Sequence, residues 1–515
     1  KDYSNAFGTR PSAAEFANAL QMERYTDAQS GKGGAPAIES QPVQLQTDDA
    51  SAPYYFAWSD TEGDSWSYTI SNLDRYAPSS MPWKYRITET VPQGYANEHN
   101  KINSAKGSVG ADGTITMPTL TNTNSKTVSL TKSWQDDNAY GQRPVSIDLE
   151  LWVKIGEGQW QTAQSSFQAY NAPDDVKNQY TYTLTEKDKK NNTWKHTFSN
   201  LPAYVSQGGR NLECQYQVIE VKAGDYTVDQ TSPEFEVTDS GATYPAAGPY
   251  VPSGGNTSAG TTISNKINED ATGYIKLSKT WTDRGNIYDT RPAVPDTKDT
   301  WKTDYVLYRK AGTGAWEQVK TSDENYIILR IEGKYGEDAK ERQYGPFQKV
   351  DAEGNTYSYA AIEVPVAGYG KTETIVPETD SLPNIEEAVT AGKIEIHTGE
   401  EVTSDAKIST TTTENTLEPT VDITAVKEWL KADGTPYTAL DGKEVTVELK
   451  KKTAEGTESF LHPLTVTLDG TPDEATEGNR ETEAWTALFE GAPQYRYVAD
   501  GSESEIIYTV EEVTV

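Results

Sequence analysis

Three copies of the pattern Lys-x-Trp, almost equally spaced along 515 residues, constrain the fold of this chain more than any other feature. They stand at Lys132, Lys279 and Lys427, which lie 147 and 148 residues apart. Each stands within a short strand-like segment that begins with an apolar residue, as in Leu130–Trp134. Self-similarity at a fixed period is the signature of a chain built from repeated structural units. The spacing therefore predicts a row of similar domains.

Two further elements recur in a fixed order relative to these lysines. The first is Tyr-x-apolar-x-Glu, whose glutamates are Glu89, Glu220, Glu363 and Glu512. The second is a strand-like run that ends in asparagine, at Asn122, Asn265 and Asn415. Three elements that recur in one order predict four repeats, over residues 1–125, 126–268, 269–419 and 420–515.

The residue pattern within the repeats predicts strands. Val145–Leu151 and Val445–Leu449 alternate apolar with polar residues, which is the period of a half-buried strand. Helical periodicity is confined to a short piece at Ala13–Leu20. Regular short strands separated by turn residues predict an all-β chain with one β-sandwich per repeat. Because only a short linker separates each asparagine from the next lysine, we expect the sandwiches to form an elongated array.

Composition excludes several classes of function. With 46 Lys and Arg against 78 Asp and Glu, the net charge is −32, which opposes binding to nucleic acid or to an anionic membrane surface. No apolar run approaches the length that spans a bilayer, so no membrane insertion is predicted. One cysteine, Cys214, excludes internal disulfides and CxxC metal sites. We expect no metal, no cofactor and no catalysis on an external substrate, since motifs such as GxSxG or HExxH are missing.

The repeated lysine, glutamate and asparagine fit one chemical reaction. The apolar flanks predict that Lys132, Lys279 and Lys427 face the core, where an unpaired charge is unfavourable. Desolvation lowers the pKa of lysine and raises that of glutamate, so both side chains become neutral. A neutral amine then attacks the asparagine carboxamide and expels ammonia, while the glutamate shuttles protons. A lone Lys-x-Trp is more often a lysine stacked on an aromatic ring, and only the Glu and Asn repeating in register favour the reaction.

These motifs together resemble the Cna protein B-type domains of Gram-positive surface proteins. The stretch Asn138–Pro144, echoed at Asn286–Pro292 and Asn5–Pro11, is also similar to that family. The resemblance implies an inverse immunoglobulin-like sandwich that carries an autocatalytic Lys–Asn isopeptide bond and an acidic catalyst. The bonds that it implies are Lys132–Asn265 with Glu220 and Lys279–Asn415 with Glu363.

The first and last repeats depart from the complete set. In the first, Glu89 and Asn122 match, and the candidate lysine is Lys1 at a shortened spacing, unless the reactive lysine precedes this sequence. In the last, Lys427 and Glu512 match, and we expect the acceptor strand beyond Val515. We therefore expect the chain to be a fragment of a longer protein, anchored to the bacterial cell wall through a segment outside it.

Three functions stay open at this point. The leading hypothesis is an extracellular structural stalk, a monomeric rod whose partners are the flanking domains of the same longer chain. The second is an adhesin module that binds a host glycan or protein, with Tyr54–Trp58 as the candidate surface, although that run also fits a packed strand. The third is a pilus shaft subunit, for which neither a sorting signal nor a YPKN-like sequence is visible.

Overall fold

A computed structural model shows how the repeats are built from paired β-sheets. It describes residues 1–26, 39–78, 80–95, 102–108, 114–135, 143–190, 193–246, 248–257, 260–297, 299–321, 324–376, 393–403, 407–453, 456–497 and 503–513. In these ranges, no helix is long and apolar enough to cross a membrane, and no three His, Cys, Asp or Glu side chains are grouped to hold a metal ion. Residues 1–135 with 144–266 form one compact unit, and residues 267–515 belong to a second.

The first repeat combines a four-stranded sheet, in the order β2-β1-β5-β6, with the hairpin β3-β4. The strands are β1 Leu20–Thr26, β2 Glu39–Val43, β3 Tyr55–Asp60, β4 Ser67–Ser71, β5 Lys84–Thr90 and β6 Ile102–Ser108. The predicted helix is present as α1, Ala13–Ala19. It begins with a reciprocal capping box between Ser12 and Glu15, which satisfies backbone donors of the first turn.

The second repeat is a sandwich of the sheets β10-β8-β14-β13 and β11-β12-β7-β19-β18. Its strands are β7 Lys126–Gln135, β8 Ser146–Ile155, β9 Gln161–Thr162, β10 Thr181–Thr185, β11 Lys189–Lys190, β12 Thr193–Leu201, β13 Tyr204–Gln207, β14 Arg210–Ala223, β15 Tyr226–Thr227, β16 Glu236–Thr238, β17 Gly241–Thr243, β18 Tyr250–Thr257 and β19 Gly260–Ile267. Two short helices, α2 Ala163–Ser166 and α3 Asp174–Lys177, lie between β9 and β10. Alternate residues of β8, including Leu149 and Leu151, are fully buried between the sheets.

The third repeat is a sandwich of the sheets β24-β20-β28-β26 and β22-β21-β23-β27, with β25 paired to β21. Its strands are β20 Thr272–Thr282, β21 Thr300–Ala311, β22 Glu317–Gln318, β23 Tyr326–Lys334, β24 Ala339–Gln348, β25 Tyr357–Glu363, β26 Tyr369–Val376, β27 Ile394–His397 and β28 Lys407–Leu417.

The fourth repeat contains the sheets β29-β33-β32 and β31-β30-β36 and the pair β34-β35. Its strands are β29 Thr420–Val426, β30 Val445–Thr453, β31 Gly456–Leu468, β32 Arg480–Glu483, β33 Thr486–Pro493, β34 Tyr495–Tyr497, β35 Glu503–Glu505 and β36 Tyr508–Val513. The prediction of an all-β chain of tandem immunoglobulin-like sandwiches is confirmed.

The tyrosine of each Tyr-x-apolar-x-Glu motif fixes the strand that carries the glutamate. In every repeat its hydroxyl donates to a main-chain carbonyl earlier in the chain; the pairs are Tyr85 to Asp74, Tyr216 to Pro202, Tyr359 to Gln348 and Tyr508 to Pro493. Residues i and i+4 of a strand share a face. The tyrosine therefore sets the face to which the glutamate of its motif belongs.

Parallel pairing joins the lysine strand to the asparagine strand in the second and third repeats. Strand β7 runs parallel to β19, and β20 runs parallel to β28. In both pairs the residue opposite the Lys-x-Trp tryptophan is the asparagine, so Trp134 faces Asn265 and Trp281 faces Asn415. This register brings each lysine to its asparagine although the two are far apart in the sequence.

Candidate functional site

In the second repeat, the three predicted residues meet in the core of the sandwich. Lys132 and Asn265 come from neighbouring strands of one sheet, and Glu220 comes from β14 of the opposite sheet. Lys132 Nζ lies 3.6 Å from Glu220 Oε2, and Asn265 Nδ2 donates to Glu220 Oε1 at 2.9 Å. All three residues are fully buried. One carboxyl group thus contacts both the amine and the amide.

The third repeat builds the same arrangement. Lys279 Nζ lies 3.1 Å from Glu363 Oε1, and Asn415 Nδ2 donates to the same oxygen at 3.1 Å. No more than 1% of any of these residues is exposed. The structure therefore brings together both of the complete Lys, Glu and Asn sets.

The tryptophan of Lys-x-Trp covers the amine. Lys132 Nζ lies 4.2 Å from the centre of the Trp134 ring, and Lys279 Nζ lies 4.2 Å from that of Trp281. Residues i and i+2 share one face of a strand, which is why the motif has this spacing. The ring stabilises a cation that points at its face and also keeps water from that side.

Burial shifts the proton equilibria toward neutral side chains. Burial raises the pKa of Glu220, with the positive charge of Lys132 opposing the shift. Burial lowers the pKa of Lys279 to about 8, with the carboxylate of Glu363 opposing the shift. Each site therefore favours an uncharged group at the position where the proposed chemistry requires one.

Each site also holds buried oxygen atoms that accept no hydrogen bond. Glu363 Oε2, Asn265 Oδ1 and Asn415 Oδ1 form none within the described part of the chain, and Glu220 Oε2 has only the 3.6 Å contact with Lys132 Nζ. Leaving a buried polar atom unsatisfied costs about 1–3 kcal/mol. These triads are therefore unfavourable as static core packing, which is typical of a site built for function.

A threonine that the sequence analysis missed belongs to the third site. Thr303 Oγ1 donates to Glu363 Oε1 at 2.5 Å, and Thr303 is almost fully buried. It lies two residues before Tyr305, which pairs with Glu363, whereas the corresponding position before Leu149 in the second repeat is Ile147. The only sequence signal was a polar residue in phase with the buried face of β21.

In the first repeat, glutamate and asparagine meet without the predicted lysine. Asn122 Nδ2 donates to the fully buried Glu89. Lys1 is exposed, and its α-amino group, not its side chain, donates to the main-chain oxygen of Asn122 at 2.8 Å. A cavity of about 820 Å³ beside Asn122 lies between the β4 region and residues 114–122. In the second repeat β7 fills the space between the corresponding strands.

Side-chain networks correct the assignment of Lys1. Arg10 binds Asp2 in the first repeat as Arg291 binds Asp283 in the third. Aligning the two repeats on these pairs places Lys1 at the position of Thr282, beyond Lys279 and Trp281. Lys1 is therefore not the counterpart of Lys279.

In the fourth repeat, the lysine and glutamate form an ion pair at the surface. Lys427 Nζ lies 2.8 Å from Glu512 Oε2, and the two side chains are 23% and 53% exposed. Lys427 Nζ lies 4.7 Å from the centre of the Trp429 ring, so the stacking part of the motif is retained. Lys427 lies in phase with Ala425 and Trp429, which pack against the core, but it is only partly buried and lacks the dry surroundings of Lys279.

The candidate binding run Tyr54–Trp58 forms part of a packed strand. Phe56 is only 4% exposed, and its ring centroid lies 5.2 Å from that of Trp58. Trp58 in turn packs edge-on against Trp66 and Tyr68. Phe56 lies in the core of the first repeat, whereas Trp58 and Tyr68 are partly buried against it and line the cavity beside Asn122.

Comparison with known proteins identifies the domain family. Residues 25–116 and 128–240 match the family model of the Cna protein B-type domain. These two consecutive stretches are therefore each similar to a Cna protein B-type domain. No curated protein sequence matches it.

Several solved structures are similar to this chain in fold. The pilus adhesin SpaC from Lactobacillus rhamnosus GG is 13% identical, with 96% of this chain and 53% of SpaC covered and a TM-score of 0.26. A streptococcal ancillary pilin is 11% identical, with 75% and 95% covered and a TM-score of 0.20. The shaft pilin SpaA from Lactobacillus rhamnosus GG is 11% identical, with 58% and 99% covered and a TM-score of 0.19. This chain spans about half the length of SpaC.

Proposed function

We propose that this chain is part of a structural stalk on the surface of a Gram-positive bacterium, closed within its repeats by autocatalytic isopeptide bonds. The proposed bonds are Lys132–Asn265, with Glu220 as catalyst, and Lys279–Asn415, with Glu363 as catalyst. The Cna protein B-type domains support the placement on the cell surface. The observation that supports the bonds is a buried carboxyl group in contact with both an amine and a carboxamide. We retain the four repeats at the boundaries predicted from the sequence.

The first step is attack by a neutral amine. The lowered pKa of Lys279, about 8, leaves a usable fraction of neutral amine near neutral pH. Its Nζ attacks the side-chain carbonyl carbon of Asn415, which lies on the adjacent parallel strand. Because the core holds the reacting groups in place and excludes water, the reaction needs no external positioning.

The carboxyl group moves the proton. Glu363 Oε1 lies 3.1 Å from both Lys279 Nζ and Asn415 Nδ2. It accepts a proton from Nζ and delivers one to Nδ2, which leaves as ammonia. One C–N bond forms and one breaks, with no oxidant, cofactor or external substrate. The reaction proceeds once per site and replaces two polar side chains with one neutral amide.

The position of the bond suits a stalk. Lys279 and Asn415 stand on the first and last long strands of the third repeat. A force applied to the two ends of the repeat therefore passes through the covalent bond, and the residues between Lys279 and Asn415 are bypassed. Lys132 and Asn265 have the same arrangement in the second repeat.

Intact-mass measurement of the full chain tests the bonds. We expect a mass lower than that of the unmodified sequence by two ammonia molecules. Glu220→Ala and Glu363→Ala should each restore one ammonia, whereas the matched control Glu512→Ala should leave both losses in place. A wild-type mass equal to that of the unmodified sequence would overturn the proposal.

Single-molecule extension tests the mechanical role. In the wild type, residues between Lys279 and Asn415 should not lengthen under force. Glu363→Ala should release this whole segment, adding roughly 450 Å of extended chain at about 3.3 Å per residue. If wild type and variant lengthen equally, the bond does not carry the force and the stalk proposal fails.

A further inference from the structure

The loop that follows the lysine strand has the same construction in the first and third repeats. We call residues 2–10 and 283–291 the plug loops. Aligned from end to end, they share or closely match five side chains: Asp2 with Asp283, Asn5 with Asn286, Phe7 with Tyr288, Thr9 with Thr290, and Arg10 with Arg291. The local geometry recurs as well, because in each loop the aspartate side chain accepts a hydrogen bond from the backbone N–H of the asparagine three residues later.

The backbone of both plug loops adopts an unfavourable conformation. Three consecutive residues have left-handed φ values, 59°, 53° and 63° at Tyr3–Asn5 and 62°, 71° and 65° at Arg284–Asn286. Such values are costly for residues other than glycine and persist only where the surrounding structure holds them. The same conformation recurs at corresponding positions of the two plug loops, which indicates that the same kind of contacts holds both.

An arginine clamp holds each plug loop. Arg10 Nε donates to Asp2 Oδ2 at 2.7 Å, and Arg291 Nε donates to Asp283 Oδ2 at 2.8 Å. A tyrosine hydroxyl from a later segment also donates to each aspartate, from Tyr95 at 2.7 Å and from Tyr369 at 2.6 Å. The base of the loop is therefore fixed to its own repeat.

The asparagine of each plug loop stabilises the end of the loop through a hydrogen bond to the backbone of the arginine. Asn5 Oδ1 accepts from the backbone N–H of Arg10 at 2.9 Å, and Asn286 Oδ1 accepts from that of Arg291 at 2.9 Å. This bond closes the loop and leaves the aromatic residue at its tip. The recurring spacing between Asn and Arg in the motif thus has a geometric cause.

The aromatic residue of the first plug loop enters the core of the second repeat. Phe7 is fully buried, and its ring centroid lies 5.5 Å from that of Phe167 and 5.6 Å from that of Tyr170. The main-chain oxygen of Phe7 accepts from the N–H of Ser206 at 2.9 Å. Asn211 Nδ2 adds a bond to the oxygen of Thr9 at 3.1 Å.

The aromatic residue of the second plug loop likewise enters the core of the fourth repeat. Tyr288 is 2% exposed, its ring centroid lies 5.6 Å from that of Phe460, and its hydroxyl donates to the main-chain oxygen of Glu490 at 2.6 Å. Asp289 Oδ2 accepts from the N–H of Leu461 at 2.7 Å. In both pairs of repeats, hydrogen bonds therefore surround the inserted aromatic side chain.

We propose that the plug loop is an interaction surface whose partner is the hydrophobic core of the following repeat. The buried cluster of the receiving repeat includes an aromatic side chain from its neighbour, Phe7 in the second repeat and Tyr288 in the fourth. Repeats one and two, and repeats three and four, are thereby coupled in stability. This coupling goes beyond the stalk function and does not depend on the isopeptide bonds. The third copy of the motif, Asn138–Pro144, lies mostly outside the described residues.

Hydrogen exchange of the full-length chain tests the coupling. Tyr288→Ala removes a large buried ring, so amide protection in the strands of the fourth repeat should fall on the order of 100-fold. Strands β21 and β23 of the third repeat, to which Tyr288 belongs by sequence, should keep their protection. Phe7→Ala should likewise weaken β8 and β14 of the second repeat and spare β1 and β5 of the first.

Matched variants separate the plug from general damage. Tyr288→Phe keeps the ring and should lower protection by no more than about tenfold, the effect of one lost hydrogen bond. Tyr437→Ala removes an exposed tyrosine of the fourth repeat and should change nothing. Unchanged protection in the fourth repeat of Tyr288→Ala, or an equal loss in the third, would overturn the proposal.

Two further measurements keep the test decisive. If Tyr288→Ala does not fold, Tyr288→Leu retains part of the apolar volume and should show the same selective loss in the fourth repeat at a smaller size. Intact mass of the same variants should still show both ammonia losses, since the plug is not part of either bond site. The two measurements therefore distinguish failure of the plug-loop proposal from failure of the isopeptide-bond proposal.

Discussion

The third and fourth repeats carry the same lysine and glutamate motifs, yet the two pairs lie in opposite environments. Lys279 and Glu363 are fully buried beside Asn415, whereas Lys427 and Glu512 form an ion pair in which the side chains are 23% and 53% exposed. In the third repeat, β20 lies between β24 and β28 and is covered on both sides. Lys427 follows the end of β29, for which β33 is the described partner. In the proposed chemistry the motif supplies the reacting groups, and the neighbouring asparagine strand supplies the dry environment that the reaction requires.

Removing the glutamate should give the largest difference between the two repeats. Glu363→Gln should abolish the third repeat's bond and lower its free energy of unfolding by about 4–5 kcal/mol, by analogy with a disulfide that closes a loop of this length. Glu512→Gln should change the stability of the fourth repeat by no more than about 0.5 kcal/mol. Calorimetry combined with intact mass measures both. Equal shifts in the two variants would contradict the contrast.

The pH dependence should distinguish the buried lysine in a chain that cannot form the bond. In Asn415→Ala, Lys279 keeps its amine, whose pKa is lowered by burial to about 8 from its usual 10.5. Between these two values the unfolded chain binds more protons than the folded chain, so stability rises as the pH rises through that window. Urea unfolding, monitored by the hydrogen exchange of amides in β21 and β23, should show this rise in stability.

The matched control removes the titrating group. Adding Lys279→Met to Asn415→Ala should flatten the rise in stability of the third repeat across the window between the two pKa values. A rise of the same size in this double variant would assign the effect to other groups.

Thr303 should have a smaller effect that refines the comparison of the two buried sites. Thr303→Val removes the hydroxyl that donates to Glu363 and should cost about 1 kcal/mol in stability. We expect the bond still to form, because the second repeat has Ile147 at the corresponding position. Intact mass decides: a missing ammonia loss would make Thr303 a positioning residue of the third site.

The surface pair of the fourth repeat should show the smallest effect. A double-mutant cycle with Lys427→Ala and Glu512→Ala should give a coupling energy below about 1 kcal/mol, because water and salt screen exposed charges. The coupling should weaken further as the salt concentration rises. A coupling of several kcal/mol that is insensitive to salt would indicate that the pair is buried.

The sequence allowed the Lys, Glu and Asn sets to be predicted because each residue type recurs at a fixed place in a strand pattern. The exposure of Lys427 was not predictable in the same way, since it depends on which strand covers the lysine. Thr303 was missed because threonine is an ordinary residue in strands. Lys1 was assigned from a local likeness, and only the network around Arg10 and Asp2 fixed the true register.

The burial of Phe7 and Tyr288 shows a different limit of sequence reasoning. The motif that contains them was recognised, and an aromatic residue between turn residues is expected to be buried somewhere. Pattern alone does not say in which core it is buried. That information lies in the loop conformation at Tyr3–Asn5 and Arg284–Asn286, which directs the ring away from its own repeat.

Because the first and last strands of the third repeat pair with each other, the order of synthesis determines when the sheet can be completed. Lys279 is made before Asn415, and at about 5–20 residues per second the asparagine follows roughly 7–30 s later. Through that interval the amine has no acceptor, and the strand that bears it lacks the neighbour β28. The proposed bond therefore requires that the whole third repeat has been made and has folded, and its formation would mark the completion of folding of that repeat.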